Sequence, residues 1–161
     1  MRSTPWFLAI AGLSMLGGCA TQVGAASTPP MTWAYIPPSD QGRARLAYGV
    51  EDSDEIGMVF ICDQTKDRVE FMIPAAEGHD VSAMALRSGD VSRRFEAFVP
   101  EEIDFDDFVY FQAGRRDPVL AAFAVTGKIA LNPYGGFVSH DARKPAERAA
   151  VASFSKACGL G

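Results

Sequence analysis

The sequence predicts an α+β domain in which one short helix and a C-terminal helix pack on an antiparallel sheet. Between residues 32 and 112, short runs rich in Val, Ile, Phe and Tyr alternate with Gly, Asp and Pro, a pattern typical of strands joined by turns. After residue 117 the pattern changes to two segments with helical start and stop signals. Connections this short join antiparallel neighbours, so a meander is expected, with a sandwich and a partly closed barrel as alternatives.

The predicted strands follow from the alternation of large apolar residues with smaller or polar ones. Trp33 and Tyr35 alternate with smaller residues before Pro37 stops the run, so the first strand and the folded domain begin near Thr32. The other predicted strands are 45–50, 56–62, 68–73, 82–87, 92–99, 108–112, 128–131 and 137–139, and the expected turns are 64–67, 88–90 and 132–136.

Two helices are expected in the C-terminal part of the chain. Asp117 suits the N-cap, Pro118 the first helical position and Gly127 the position after the end, so a short helix is predicted over 119–126. A second helix is predicted over 145–158. Its apolar residues share one helical face, which we expect to pack on the sheet: Ala150, Val151, Phe154, Ala157 and Cys158.

The chain opens with the features of an exported protein. Arg2 precedes an apolar run, residues 6–16, of about 11 residues, whereas a membrane-spanning helix needs roughly 20. The following segment, Leu16-Gly17-Gly18-Cys19, resembles the lipobox of bacterial lipoproteins. The resemblance implies that the chain is cut before Cys19, that the Cys19 thiol is lipidated, and that acyl chains such as palmitate anchor the protein to a membrane. The alternative is an ordinary secretory signal cut near residue 25.

This resemblance divides the chain into a lipoprotein signal peptide (1–18), a flexible lipid tether (19–31) and a single globular domain (32–161). Residues 20–30 are small and polar without an apolar period, as expected of a tether. Ala20 stands where an Asp would indicate retention in the inner membrane. The sorting rule of the family therefore implies anchoring in the outer membrane, on its periplasmic face.

Two further cysteines, Cys62 and Cys158, are predicted to form a disulfide. Both would be exported to an oxidising compartment, where a pair of cysteines tends to become oxidised. The bridge would join the C-terminal helix to the sheet. The alternative is a pair of buried free thiols, because the sequence does not give the separation of their Cα atoms.

Composition and charge indicate which classes of partner the protein is expected to bind. The formal charge of −5 argues against nucleic acid, because proteins that bind it carry a basic surface. Two arginine doublets, Arg93-Arg94 and Arg115-Arg116, are candidate contacts for an anionic wall polymer or for the acidic face of a partner. The alternative is that these arginines are solvated and pair with nearby acidic residues.

No residue is expected to be catalytic, and neither a metal nor another cofactor is expected. His79-Asp80 and His140-Asp141 would offer zinc ligands only if the two pairs met in space. The stretch Ser139-His140-Asp141 contains the residue types of a hydrolase triad. However, adjacent residues of an extended chain point to opposite sides and cannot form the relay.

These observations predict a lipid-anchored, non-catalytic envelope protein that binds or helps to assemble another exported protein or a cell-wall component. One alternative is a periplasmic inhibitor of a lytic enzyme. Small lysozyme inhibitors share the outline of anchor, antiparallel sheet and disulfide, but Ser88-Gly89 is not followed here by the Tyr of their inhibitory loop. The other alternative is a metal-dependent hydrolase centred on the two His-Asp pairs.

Overall fold

The computed structural model describes residues 29–39, 42–78, 80–100 and 107–161. Within these residues the chain forms nine strands and two helices, whose ends agree with the sequence predictions to within two residues. The predicted signal peptide, Cys19, most of the tether and His79 lie outside the described residues. The strands are β1 (Thr32–Ile36), β2 (Arg43–Gly49), β3 (Ile56–Asp63), β4 (Arg68–Pro74), β5 (Ala83–Ser88), β6 (Val91–Phe98), β7 (Phe108–Gly114), β8 (Ala130–Asn132) and β9 (Val138–Ser139), and the helices are α1 (Pro118–Thr126) and α2 (Pro145–Cys158).

The strands form one antiparallel sheet in the order β1-β2-β3-β4-β7-β6-β5-β8-β9. The predicted meander is therefore wrong between β4 and β5, because β4 pairs with β7 along its whole length. Residues 75–82 are too long a connection for a tight hairpin, and β7 brings Phe111 into a stack with Phe71, with ring centroids 5.5 Å apart. Within the described residues β1 and β9 do not pair, so the sheet is not closed. All nine strands belong to one sheet, so the sandwich alternative is wrong.

The main core lies between one face of the sheet and the two helices. Helix α1 packs against β5 and β6, and α2 packs against β1 and β2. Burial of the apolar side chains in this core is the principal stabilising contribution to the fold. The centre of the core is a group of fully buried aromatic rings from three strands and both helices: Phe60, Phe71, Phe111, Phe123 and Phe154.

The predicted disulfide is confirmed, and the alternative of two free thiols is wrong. Cys62 in β3 is bonded to Cys158 at the end of α2, with the two Cα atoms 6.0 Å apart. Both residues are fully buried. The bridge fixes the C-terminal end of α2 against β3, the third strand in the sheet order.

Helix α1 begins and ends where its capping residues predict. The Asp117 carboxylate accepts a hydrogen bond of 3.0 Å from the N–H of Val119, and Pro118 follows as the first helical residue. At the other end Gly127 has a φ of +64°, and its N–H donates to the Phe123 carbonyl at 2.8 Å. A left-handed residue at this position favours glycine and satisfies a terminal carbonyl.

Candidate functional site

A groove of about 600 Å³ runs along β1, the strand at one end of the sheet order. Within the described residues β1 pairs with β2 alone, so alternate N–H and C=O groups of β1 face away from the sheet. The groove is lined largely by apolar side chains, among them Ala34, Ile36, Ala47 and Ile56. It thus combines an unpaired strand edge with an apolar surface.

Small residues on adjacent strands leave the space of the groove open. Ala34 lies directly across from Ala47 in the register of β1 and β2. Gly49 ends β2, and a Cβ atom there would lie 2.7 Å from the Glu55 carbonyl oxygen, so only glycine fits. Ile36 projects at the edge with 46% of its surface exposed.

One rim of the groove is the acidic loop between β2 and β3. The N–H of Val50 donates to the Glu55 carbonyl at 2.9 Å, and the Ser53 hydroxyl accepts from the N–H of Glu55 at 3.1 Å. These bonds hold the loop in one turn, in which Asp52 has a φ of +56°. Glu51 and Asp52 line the groove, so this end of it is negatively charged.

The beginning of α2 also borders the groove. Glu147 is buried there, and its carboxylate accepts hydrogen bonds of 2.7 Å and 2.8 Å from the N–H groups of Arg143 and Lys144. The negative charge of Glu147 is therefore directed at the helix terminus, where it stabilises unpaired N–H groups. Lys144 also lines the groove.

A second cavity of about 270 Å³ adjoins the groove and shares Lys144 and Glu147 with it. Its walls include Pro30, Met31, Ser139 at the end of β9 and Asp141 after it. The cavity therefore lies where the chain enters the domain from the predicted tether.

His140 lies between these elements in a partly buried environment. Its ring contacts Tyr48 edge-on, with ring centroids 4.7 Å apart, and its Nδ1 atom is buried without a hydrogen-bond partner in the described structure. Burial lowers the pKa of His140, while the neighbouring Asp141 acts in the opposite direction. At neutral pH the ring is thus uncharged and packed against an aromatic neighbour.

The described residues do not supply the ligand cluster that the metal hypothesis needs. Among the described residues, no group of three or more His, Cys, Asp or Glu side chains could hold a metal ion. His79, which the hypothesis requires, lies outside those residues. A shared site of His79 and His140 therefore stays a prediction.

The four candidate arginines are placed at the end of β7 and along β6. Arg93 and Arg94 are adjacent in β6 and so point to opposite faces of the sheet. Three of the four contact other groups of the same chain, which makes them weaker candidates for a binding surface than the groove. These contacts are Arg93 Nε with Asp117 Oδ2 at 3.5 Å, Arg94 Nε with Glu96 Oε1 at 3.4 Å, and Arg115 Nη2 with the Asp63 carbonyl oxygen at 2.6 Å.

The turn considered for an inhibitory role does not present its serine. Ser88 ends β5, is buried, and has its hydroxyl oxygen 3.1 Å from that of Thr126. Only Gly89 and Asp90 form the exposed tip of this turn. Nothing in this geometry favours the inhibitor alternative.

The groove along β1 was not identified from the sequence. Its lining residues, such as Ala34 and Ala47, are small and chemically inert, and no motif marks them. The one signal that bears on it is the pair Pro37-Pro38, because prolines after a short strand are typical of a sheet edge.

Comparisons of this chain with known protein families, with curated proteins and with solved structures find no match. Within the described part of the chain, neither helix has the length and apolar composition needed to cross a bilayer. The geometry of the described residues is therefore the basis for a functional proposal.

Proposed function

We propose that this chain is a lipid-anchored, non-catalytic envelope protein whose β1 edge holds an extended segment of another exported protein. The observation that carries the proposal is the groove of about 600 Å³ beside a strand that pairs on one side only within the described residues. An extended segment that adds to such an edge gains main-chain hydrogen bonds for affinity. Its alternate side chains enter the groove and give specificity.

The groove defines the chemistry of the expected segment. Strand β1 has five residues and is followed by Pro37-Pro38, so pairing extends over about five residues. The space above Ala34 and Ala47 suits a bulky apolar side chain, and burying one would supply a favourable hydrophobic contribution. A basic residue is expected at the end of the segment that lies near the acidic loop 50–55.

The anchor is supported by the lipobox resemblance of Leu16-Gly17-Gly18-Cys19. The test is the intact mass of the protein isolated from bacterial membranes. A mass equal to a chain that begins at Cys19 plus acyl groups is the expected result. A chain without acyl groups that begins further along would refute the anchor.

The groove is tested by photo-crosslinking in intact cells. A photoreactive phenylalanine analogue replaces Ile36 in one strain, and the matched control replaces Val125, an exposed residue on α1 that does not line the groove. We expect a protein adduct from position 36 and none from position 125. Equal adducts from both positions would contradict the proposal.

A direct binding measurement completes the test. The cross-linked segment is synthesised as a peptide, and its Kd is measured with the purified protein and with two variants. Ala34→Glu places a charge in the groove and is expected to raise Kd by tenfold or more, about 1.4 kcal/mol. Val125→Glu is the control and should leave Kd unchanged. A Kd that Ala34→Glu does not alter would place the binding surface elsewhere.

A further inference from the structure

The hydrogen bonds at the two ends of β2 show which of its main-chain groups face β1. At one end the N–H of Val50 donates to the Glu55 carbonyl at 2.9 Å, and at the other the Gly42 carbonyl accepts from the N–H of Gln64 at 3.4 Å. Both bonds cross to the β3 side. Because main-chain groups alternate along an antiparallel strand, the even-numbered residues of β2 bond to β3 and the odd-numbered residues bond to β1.

This alternation leaves two residues of β1 with main-chain groups at the free edge. Ala34 lies opposite Ala47, an odd-numbered residue, so the N–H and C=O groups of Ala34 bond to β2. Those of its neighbours Trp33 and Tyr35 point the other way, and no other main-chain group of the described residues bonds to them. An added segment can therefore bond at these two positions. Pairing is limited beyond Tyr35 because Pro37 has no N–H.

A row of apolar side chains crosses the sheet and ends at Ala34. Residues directly opposite one another in adjacent strands share a face of the sheet. The row has aromatic side chains in β6 and β7 and alanines at the free edge: Phe98, Tyr110, Met72, Val59, Ala47 and Ala34. Its middle members Val59, Met72 and Tyr110 are buried, whereas Ala34 is exposed. The row therefore ends in open space beside a buried apolar cluster.

The rows on either side of these two alanines differ from this one. Toward the end of β1, Ile36 lies opposite Arg45, and both side chains are long. Toward the start of β1, Thr32 lies opposite Gly49, which has no side chain, and the acidic loop 50–55 follows directly. The space for a large apolar side chain is thus at the middle row, and the row next to it opens toward carboxylates.

The charge of the groove is negative on balance. Of the described residues that line it, the ionisable ones are Glu51, Asp52, Glu147 and Lys144. The buried carboxylate of Glu147 already accepts two hydrogen bonds from main-chain N–H groups of its own chain. Glu51 and Asp52 are exposed. A basic side chain of a bound segment would be complementary to these two carboxylates.

We propose that the segment bound at the β1 edge runs antiparallel to β1, with a large apolar residue opposite Ala34 and a basic residue two positions later, opposite Thr32. This proposal rests on the proposed function and adds the register, the direction and the sequence pattern of the segment. Every strand pair of the described sheet is antiparallel. In such pairing one segment residue exchanges both bonds with Trp33 and another with Tyr35, and the apolar residue lies between them.

Two synthetic peptides of equal composition test the direction and the spacing. The first is acetyl-Thr-Thr-Thr-Phe-Thr-Lys-Thr-amide, and the control, acetyl-Thr-Lys-Thr-Phe-Thr-Thr-Thr-amide, has its basic residue before the apolar one. Kd is measured by NMR titration of the isotope-labelled full-length protein. The first peptide should bind about threefold more tightly, and the amide signals of Trp33 and Tyr35 should shift more than those of Thr32 and Ala34. Equal Kd values, or shifts confined to other strands, would overturn the proposal.

An exchange of side-chain size between protein and peptide locates the apolar residue. A peptide with Ala in place of Phe should bind the wild type about tenfold more weakly. Ala34→Leu fills the space from the protein side, so the Phe and Ala peptides should bind this variant with Kd values within about threefold of each other. The matched control is Ala152→Leu, at an exposed position of α2 that does not line the groove, and it should keep the tenfold difference. If Ala34→Leu also keeps it, the proposed register is wrong.

A charge reversal tests the basic residue. Glu51→Lys should weaken binding of the first peptide about threefold and should favour a peptide with Glu in place of Lys. Asp90→Lys makes the same change of charge at the exposed tip of the turn between β5 and β6, outside the groove, and should leave the preference for Lys unchanged. Equal responses of the two variants would show that the basic residue is not held at the acidic loop.

The outcomes separate this proposal from the proposed function. If position 36 gives a protein adduct in cells but neither peptide binds, or the order of their residues has no effect, the register and the pattern are wrong and the proposed function stands. The same holds if the cross-linked segment lacks a large apolar residue two positions before a basic one. If position 36 gives no adduct and no peptide binds, both proposals fail.

Discussion

The indole Nε1 of Trp33, in the first strand, donates a hydrogen bond of 2.8 Å to the main-chain carbonyl of His140, which directly follows the last strand. The two residues are separated by 107 positions in the sequence, and no main-chain pairing joins β1 to β9 within the described residues. This side-chain bond therefore joins the two ends of an open sheet. Four predictions follow from this and other contacts.

Replacing Trp33 should weaken the connection between the sheet ends. Trp33→Phe removes the donor and leaves the partly buried His140 carbonyl without it, at a cost of about 1–3 kcal/mol in the free energy of unfolding. Urea unfolding followed by far-UV circular dichroism measures the change. Tyr35→Phe, in the same strand, is the control and should shift the midpoint far less. Equal midpoints for the wild type and Trp33→Phe would show that the bond contributes nothing.

His140 should make the domain less stable in mild acid. Because burial lowers its folded pKa below the ordinary value of about 6.5, the unfolded chain binds more protons between the two values. The contribution of the neutral ring is complete above about pH 6.5 and is lost as the pH falls through the folded pKa.

The His140 effect is measured by comparing thermal melts of the wild type and His140→Gln at several pH values. The Tm of the wild type should fall relative to that of the variant as the pH is lowered from about 8 to about 5. Both chains carry His79→Gln, so that His140 is the one titrating imidazole that differs. An imidazole pKa at or above about 6.5 by NMR titration would contradict the prediction.

Loss of the disulfide should cost a large part of the stability. Cys62 and Cys158 are 96 positions apart, and removing a native cross-link typically costs about 2–5 kcal/mol. The double variant Cys62→Ala, Cys158→Ala should therefore unfold at a clearly lower denaturant concentration. Reduction of the wild type should produce a loss of similar size. Thiols that react with an alkylating reagent before reduction would show that the bridge does not form.

Two variants of Asp117 should separate its role as the N-cap of α1 from its role in an ion pair. Asp117 accepts the hydrogen bond of Val119 N–H and lies 3.5 Å from Arg93 Nε. Asp117→Ala loses both contacts and should cost about 1 kcal/mol of unfolding free energy. Asp117→Asn keeps a good cap and loses an ion pair with an exposed arginine, so its expected effect is under about 1 kcal/mol. Equal destabilisation by both variants would assign the effect to the ion pair.

Local features of the sequence account for most of the secondary structure. Strands such as β3 and β4 follow from alternating or continuous apolar residues between turn formers, and α1 follows from Asp117, Pro118 and Gly127. The order of the strands does not follow in this way. The pairing of β4 with β7 joins segments on either side of β5 and β6, and it depends on how the apolar faces pack in space.

Side-chain placement and contacts between distant segments could not be predicted for a related reason. Arg93 and Arg94 are candidates for one binding surface because they are adjacent in sequence. However, their side chains point to opposite faces of β6. Main-chain hydrogen bonds join residues 127–129 to residues 140–142, and no local sequence pattern predicts this pairing. The disulfide could be predicted because the two cysteines that remain after Cys19 allow a single intramolecular pairing.

The disulfide also determines how the domain would bear mechanical load. The covalent loop between Cys62 and Cys158 contains β4 to β9, α1 and nearly all of α2, whereas β1 and β2 lie outside it. A pull between the tether and residues 159–161 would pass along residues 29–62 and cross the bridge to Cys158, so the chain inside the loop would carry no tension. Such a force could peel β1 and β2 from the sheet, and the extension would stop at Cys62.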